Sequence, residues 1–253
     1  MTVTFLGTGT SQGVPVIGCS CEVCLSLDYR DKRTRTSLHL DIAGKSFVID
    51  TGPDFRAQML RENIQSLDAV IYTHEHKDHT AGLDDIRPFN FRQQQDMPIY
   101  GQKPVIDQIK MEYAYIFAEH KYPGIPQVMP NFIENQPFEV LGVTFNPIEV
   151  MHHRLPVLGF RIEDFTYITD AKTISQKELE KIKGTKTLVL NALQLSPHIS
   201  HFTLEEAVRM VKSIDPEKAY FTHISHRLGR HAAIQEQLPE NIFLAYDGLK
   251  LYL

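Results

Sequence analysis

No segment of this 253-residue chain approaches the roughly 20 consecutive apolar residues that a bilayer-crossing helix needs. The opening residues, Met1 to Gly7, show neither a basic leader nor an apolar run behind it, so no signal peptide is read and a cytoplasmic location is expected. Positive charge is not in excess: 26 Lys and Arg stand against 31 Asp and Glu, a net charge of −5. A protein that grips long nucleic acid by its phosphates is usually basic, so nucleic acid is not the expected partner. Internal repeats, low-complexity tracts and Gly/Ser/Pro-rich linkers are missing, which leaves one domain over residues 1–253 as the expectation. Cysteine is scarce: three residues, an odd number, all within a six-residue stretch. That is a poor disulfide framework and a good set of metal ligands for a reducing compartment. The 42% of hydrophobic residues is ordinary for a globular chain and excludes disorder.

Apolar runs and alternation predict strands at 3–6, 37–42, 46–50, 67–72, 143–151, 157–162, 165–168, 187–190 and 219–222. Helical spacing covers 55–62, 106–117 and 230–237, and two capping pairs, Ser175/Glu178 and Thr203/Glu206, open further helices. Ala43-Gly44 predicts a hairpin turn, and Asp247-Gly248 predicts another between 242–246 and 249–253. Pro123, Pro126 and Pro130 predict a loop. This alternation suits two sheets packed face to face with helices outside.

What the chain does have is histidine, twelve in all, and its placement is informative. In His74-Glu75-His76-Lys77-Asp78-His79, three His and one Asp fill six positions directly after a buried strand. Imidazole and carboxylate are the usual ligands of zinc and neighbouring metals. An extended stretch aims His74 and His76 at one ion, and Asp78 and His79 turn toward a second. Two ions roughly 3.5–4 Å apart make a clamp for hydrolysis. Strand alternation lets only one of His152 and His153 face such a site.

The segment from His74 to His79 resembles the H-x-H-x-D-H signature of the metallo-β-lactamase superfamily. The resemblance implies an α+β fold, an αββα sandwich with a dinuclear centre on one sheet edge. It further implies a His, a bridging Asp and a final His downstream, in that order, for which His152 or His153, Asp170 and His223, each at the end of a β-run, are the candidates. The stretch from Met151 to Phe160 is similar to the family's His-Gly-x-Leu-Pro-x-x-Gly-aromatic pattern, which aligns His152 with the ligand and His153 with Gly. One ion is then expected on His74, His76 and His152, the other on Asp78, His79 and His223, with Asp170 between them.

Cys19-Ser20-Cys21-Glu22-Val23-Cys24 supplies three thiolates that want a fourth ligand for tetrahedral zinc. This cluster resembles the PhnP-like phosphodiesterases, as do Leu6 to Ser11, Asp50 to Arg56 and Thr222 to His226. The resemblance implies His226 as the fourth ligand of a structural zinc. It also implies a proton-donating His before the second capped helix, where His201 fits and His198 is the alternative. The run Arg30, Lys32, Arg33 and Arg35 reads as a solvated loop in which Arg33 or Arg35 is free to meet a phosphate. Tyr113, Tyr115 and Phe117 read as the core of a lid helix.

The expected function is hydrolysis of small or cyclic phosphodiesters by two divalent ions, zinc or manganese, with Asp78 and His201 as catalytic residues and a small-molecule phosphodiester as partner. A homodimer is compatible with the sequence. The rival readings are a tRNA 3′-processing endonuclease, a lactonase or thioesterase, and a zinc-stabilised binding module without catalysis.

Overall fold

Strand-forming runs with period-2 burial build the core of the chain. The computed structural model describes residues 1–120 and 122–253. The N-terminal half supplies β1 (Thr2–Gly7), β2 (Ser37–Ile42), β3 (Lys45–Ile49), β4 (Ala69–Ile71), β5 (Met97–Gly101) and β6 (Val128–Phe132). The second half supplies β7 (Phe138–Val140), β8 (Val143–His152), β9 (Leu155–Ile162), β10 (Phe165–Tyr167), β11 (Thr173–Ile174), β12 (Thr187–Asn191), β13 (Lys218–Thr222) and β14 (Ile242–Leu244). A final strand, β15 (Lys250–Tyr252), returns to pair with β1. The first sheet runs β15-β1-β2-β3-β4-β5-β6, and the second runs β11-β8-β9-β10-β12-β13-β14 with β7 also paired to β8.

Alternate residues on one strand face different layers. Phe47 and Ile49 point between the sheets, where they meet Phe145, Phe160 and Tyr167 of the second sheet. Val48, between them in sequence, points outward to Phe55 and Met59. Likewise Val189 faces inward, while Leu188 and Leu190 face Ala207 and Val211 outside. The outer helices on the first sheet are α1 (Phe55–Arg61), α2 (Lys77–Thr80), α3 (Arg87–Gln93), α4 (Lys103–Glu112) and α5 (Ala114–Phe117). Those on the second are α6 (Gln176–Ile182), α7 (Leu204–Ile214) and α8 (His231–Gln235). The architecture is the expected αββα sandwich. Removing a fully buried ring such as Phe47 from its centre would cost about 3–5 kcal/mol. No helix among the described residues is long and apolar enough to cross a membrane.

Strands β3 to β6 run parallel, as do β10, β12, β13 and β14. Their C-terminal ends therefore gather at one rim, where loops can carry chemistry. Thr203 caps α7 with the full reciprocal box: its Oγ1 accepts from Glu206 N at 3.2 Å, and Glu206 accepts from Thr203 N at 2.9 Å. Ser175 makes only half a box. It accepts from Glu178 N, but the Glu178 carboxylate turns to Glu149 N (2.9 Å) and Lys181 (2.8 Å), fastening α6 to β8.

Four local expectations are corrected. The turn Asp247-Gly248 does not close a hairpin, because β14 pairs with β13 in one sheet and β15 with β1 in the other. Asp247 accepts from Thr8 N, Thr8 Oγ1, Thr34 N and Thr34 Oγ1, and these four bonds divert the chain from one sheet to the other. The loop expected around Pro130 contains β6, an edge strand, where a proline costs no ladder bond. The helix expected over 106–117 breaks at Tyr113; Tyr113 and Phe117 pack on the outer layer of the first sheet, and Tyr115 is exposed. Arg33 is not solvated: it is 4% exposed and donates to Thr8 Oγ1 (2.8 Å) and Ala245 O (2.6 Å). Arg35 is held by Asp54 at 3.1 Å.

Candidate metal centre

The apolar strand β4 drives its C-terminal extension to the sheet rim, and the extended residues Thr73 to His76 then lead into α2. His74 and His76 project from the extended part, with ring centroids 4.6 Å apart. Asp78 and His79 project from the first turn of α2. The preceding loop at Gly52 lies so close that a Cβ there would stand 2.3 Å from Asp78 O, so only glycine lets the two loops meet. Thr51 N to His79 O (2.8 Å) and Gly82 N to Thr51 O (2.8 Å) lock this contact.

Asp170 follows β10 and His223 follows β13. Both adopt left-handed backbone, φ 57° and φ 54°, as does Asp50 at φ 66°. Such backbone in non-glycine residues clusters at functional sites. Asp170 lies among the histidines: His79 Nε2 is 3.4 Å from its Oδ1, while His223 Nε2 (3.3 Å) and His74 Nε2 (3.9 Å) approach its Oδ2. Asp78 Oδ2 lies 3.3 Å from His79 Nε2 and 3.7 Å from His223 Nε2. The ligand atoms of His74, His76 and Asp170 all lie within 4.8 Å of one another, as do those of Asp78, His79 and His223.

His152, at the end of β8, joins on the open side, its ring 5.2 Å from His76. His153 turns away, exposed and at φ 57°, the backbone that favours glycine. His201 is 7% exposed and wedged between His152 (ring centroids 4.4 Å) and His223 (4.6 Å). His198 stands outside it at 5.2 Å. Every residue expected in the dinuclear set is therefore brought to one place.

A residue to which sequence reasoning gave no role organises them. Asp50 is fully buried and accepts from His79 Nδ1 (2.7 Å), Thr73 N (2.8 Å) and Thr73 Oγ1 (2.8 Å). Since Thr73 donates its hydroxyl hydrogen to Asp50, its oxygen accepts from His74 Nδ1 at 2.9 Å. His152 Nδ1 donates to Ser200 O at 2.9 Å. Each of the three rings thus carries its hydrogen on Nδ1 and turns the Nε2 lone pair to the centre, the second layer typical of metal-binding histidines. The signal was present in Asp50-Thr51-Gly52-Pro53-Asp54, but a carboxylate 24 residues before the histidines gives no spacing cue.

The donor set fits divalent metal ions. Nε2 of His74, His79 and His223 are buried without a hydrogen-bond partner among the described residues, although they converge on two carboxylates. A buried polar atom without a partner is costly, and a cation between the groups removes that cost. Without a cation the carboxylates act on the imidazoles themselves, and a metal ion would take the place of the second His79 proton. Burial alone would lower the His79 pKa, yet Asp170, Asp78 and Asp50 outweigh it and hold the imidazole well above its usual value. Burial would raise Asp170, but His223 and His79 hold it well below the usual carboxylate range. His74 has fewer anions near it, and burial with His79 beside it pushes its pKa far down.

A second cluster lies on the loop before β2. Sγ of Cys19, Cys21 and Cys24 stand 3.3, 3.4 and 3.5 Å from His226 Nδ1. With zinc–sulfur and zinc–nitrogen bonds near 2.3 and 2.05 Å, the edge of a tetrahedron is about 3.6 Å, so the four atoms fit zinc. The N–H of Cys24 lowers the Cys21 thiol to about 6, while burial raises Cys24 to about 11. The turn from His223 to His226 therefore reaches both clusters.

A family model described as a beta-lactamase superfamily domain matches residues 45–224. A solved diphosphatase of the PhnP family is 40% identical, with a TM-score of 0.93 over 100% of this chain and 97% of that one. A Porphyromonas gingivalis protein named octanoyltransferase is 41% identical over 257 residues, 99% of this chain and 51% of its own length. A ribonuclease Z of Bradyrhizobium diazoefficiens is 30% identical over 62% of this chain and 48% of its own. The chain spans about half the length of the curated relatives it matches. Sheet order, the segment His74 to His79, the family model and the PhnP-family structure agree: the chain belongs to the beta-lactamase superfamily, whose fold implies divalent metal binding, and within it to the PhnP family.

Proposed function

We propose that this protein is a dinuclear, metal-dependent phosphodiesterase acting on small or cyclic phosphodiesters. The observation that carries the reading is the Asp170 carboxylate, which lies between a His74/His76 group and an Asp78/His79/His223 group. His74, His76 and His152 would hold one ion, Asp78, His79 and His223 the other, and Asp170 would touch both. Cys19, Cys21, Cys24 and His226 would hold a structural zinc. When bound, the paired ions supply a nucleophilic hydroxide near neutral pH and offset charge on phosphoryl oxygens.

The chain's own residues supply the rest. Asp50, Thr73 and Ser200 fix the rings of His79, His74 and His152 before any substrate arrives. His201 leaves its Nδ1 without a partner among the described residues, close to the open side of the centre. Burial, with His223 adding, lowers this imidazole to about 2, so it is neutral until a phosphate's negative charge lies against it. Charged in that way, it gives a proton to the leaving oxygen.

Relatives named diphosphatase and ribonuclease Z act on phosphorus, which supports this class over a lactonase or thioesterase. A net charge of −5 weighs against RNA as the substrate. The name octanoyltransferase belongs to a protein of which this chain matches 51%, so it carries no acyl-transfer reading here. A binding module without catalysis would have no use for a carboxylate shared between two ligand groups. The test is a panel of cyclic and linear phosphodiesters, a lactone and a thioester, assayed with and without chelator. Metal-dependent turnover of a diester, lost in Asp170→Ala while the fold persists, is expected. Turnover confined to the lactone or thioester, or a fully active variant, would overturn the reading.

A further inference from the structure

A fully buried side-chain amide, that of Asn191, stands behind Asp170. Strands β10 and β12 pair in parallel as far as Tyr167 and Val189, and Ile168 N still donates to Val189 O at 2.9 Å. The left-handed backbone of Asp170, φ 57°, then turns the chain out of that ladder. Asn191, the last residue of β12, fills the missing rung with its side chain: Oδ1 accepts from Ala171 N at 2.7 Å and Nδ2 donates to Ala171 O at 2.9 Å. A primary amide offers one acceptor and one donor side by side, so it takes the place of a paired peptide group. Thr169 Oγ1 donates to Asp170 Oδ1 at 2.6 Å and steadies the carboxylate, while Asn191 holds the backbone that follows it. Ala171 O accepts a second bond, from Phe202 N at 2.9 Å, and Phe202 O accepts from Leu193 N at 3.0 Å. Ala171 follows Asp170 and Phe202 follows His201, so the link from Asn191 reaches both. The extension of β12 also holds the neighbours of His223, through Ala192 N to Thr222 O and Ser225 N to Leu193 O, each at 3.0 Å. Those bonds are backbone to backbone and open to any residue; at Asn191 a side chain carries the link.

We propose that Asn191 is a positioning residue that sets Asp170 in the metal centre and, through Ala171 O and Phe202 N, sets His201 against it. The part that concerns His201 rests on the phosphodiesterase reading, in which that imidazole gives its proton to the leaving oxygen. The part that concerns Asp170 needs metal binding alone. Asn191 bonds to neither side chain directly; both of its bonds go to Ala171. Ala171 is fully buried, so its N–H has no solvent to turn to when the amide is removed. The backbone then relaxes toward another partner and takes Asp170 with it.

Asn191→Leu tests this, because it keeps a similar volume and removes both bonds. Metal titrated into the metal-free variant against a chromogenic chelator should bind about 10- to 100-fold more weakly than in the wild type, the loss typical of an outer partner of a metal ligand. In metal-saturated protein the variant should lose more rate on diesters with poor leaving groups than on those with good ones, in the direction of His201→Ala. Combined with His201→Ala, it should widen that difference little further, because both changes then act on one proton transfer. Asn191→Ala leaves room for a water on Ala171 and should show the same effects in smaller degree; it serves if the Leu variant does not fold. Wild-type metal affinity in the folded variants, with only the melting temperature lowered, would make Asn191 a purely structural residue and overturn the inference. An equal loss on good and poor leaving groups would overturn it too, with the phosphodiesterase reading intact. If the wild type turns over no phosphodiester, that reading fails, and the metal titration alone decides whether Asn191 positions Asp170.

Discussion

Replacing Asp50 by Asn tests the second layer of the centre with the least change of shape. Asn tolerates the left-handed backbone at this position as Asp does. In the wild type, Oδ1 accepts from Thr73 N, while Oδ2 accepts from Thr73 Oγ1 and His79 Nδ1. The amide can keep the first bond. At the Oδ2 position, however, an NH₂ group would face two donors. His79 can relieve the clash only by moving its hydrogen from Nδ1 to Nε2, which puts an N–H where a lone pair must face the metal. Second-layer losses of this kind lower metal affinity about 10- to 100-fold, or about 1.4–2.7 kcal/mol. Losing the charge-assisted bond from His79 also costs the metal-free fold about 1.5–3 kcal/mol. For a chain of this size that is a fall of roughly 3–12 °C in melting temperature. Metal titrated into metal-free protein against a chromogenic chelator gives the affinity, and thermal melting gives the stability. Two ions bound with wild-type affinity in Asp50→Asn would refute the claim that Asp50 orients His79.

Other expectations follow from separate parts of the molecule. His201→Ala should slow esters with poor leaving groups far more than esters with good ones, by up to roughly 100- to 10,000-fold; equal losses would recast His201 as a phosphate contact. Cys21→Ser should remove one zinc per chain and lower the melting temperature while the other ions stay bound. Unchanged zinc content, with cysteines that titrate as free thiols in the native wild type, would dismiss the four-ligand site. His39 is buried, bonded to Ser46 Oγ at 2.8 Å, and burial lowers its pKa from 6.5 to about 4. Its folded value is depressed, so its contribution is present above pH 6.5 and is lost as pH falls, by about 3 kcal/mol at pH 4. His39→Gln should flatten the drop in melting temperature between pH 7 and pH 4.5, and an unchanged drop would assign it to other groups.

The site was legible because its ligands follow buried strands, and apolar runs such as Leu67 to Tyr72 are visible in one dimension. Asp170 and His223 also end β-runs, but it is the order of ligands implied by the family resemblance that singles them out. What that reading missed depends on pairing between distant segments. Asp247-Gly248 has hairpin chemistry, yet Thr8 and Thr34, more than 200 residues away, decide where the chain goes. Arg33 reads as solvated until Thr8 and Ala245 are known to surround it. Asp50 has no neighbour in sequence to disclose its role, which appears only when β3 and β4 lie side by side. Pro130 seemed to forbid a strand because the sequence does not say which strand is the edge.

The four residues from His223 to His226 join two sites that otherwise share no donor. If both clusters hold metal as proposed, that turn makes their occupancies thermodynamically linked. Ile224 N to Thr8 O (2.8 Å) and Ser225 N to Leu193 O (3.0 Å) hold the turn as one piece, so a displacement of one end is passed to the other. Whatever factor by which zinc on the cysteines tightens the His223 ion, the His223 ion must tighten zinc by the same factor. The cysteine loop would then bear on metal affinity at a centre to which it contributes no donor.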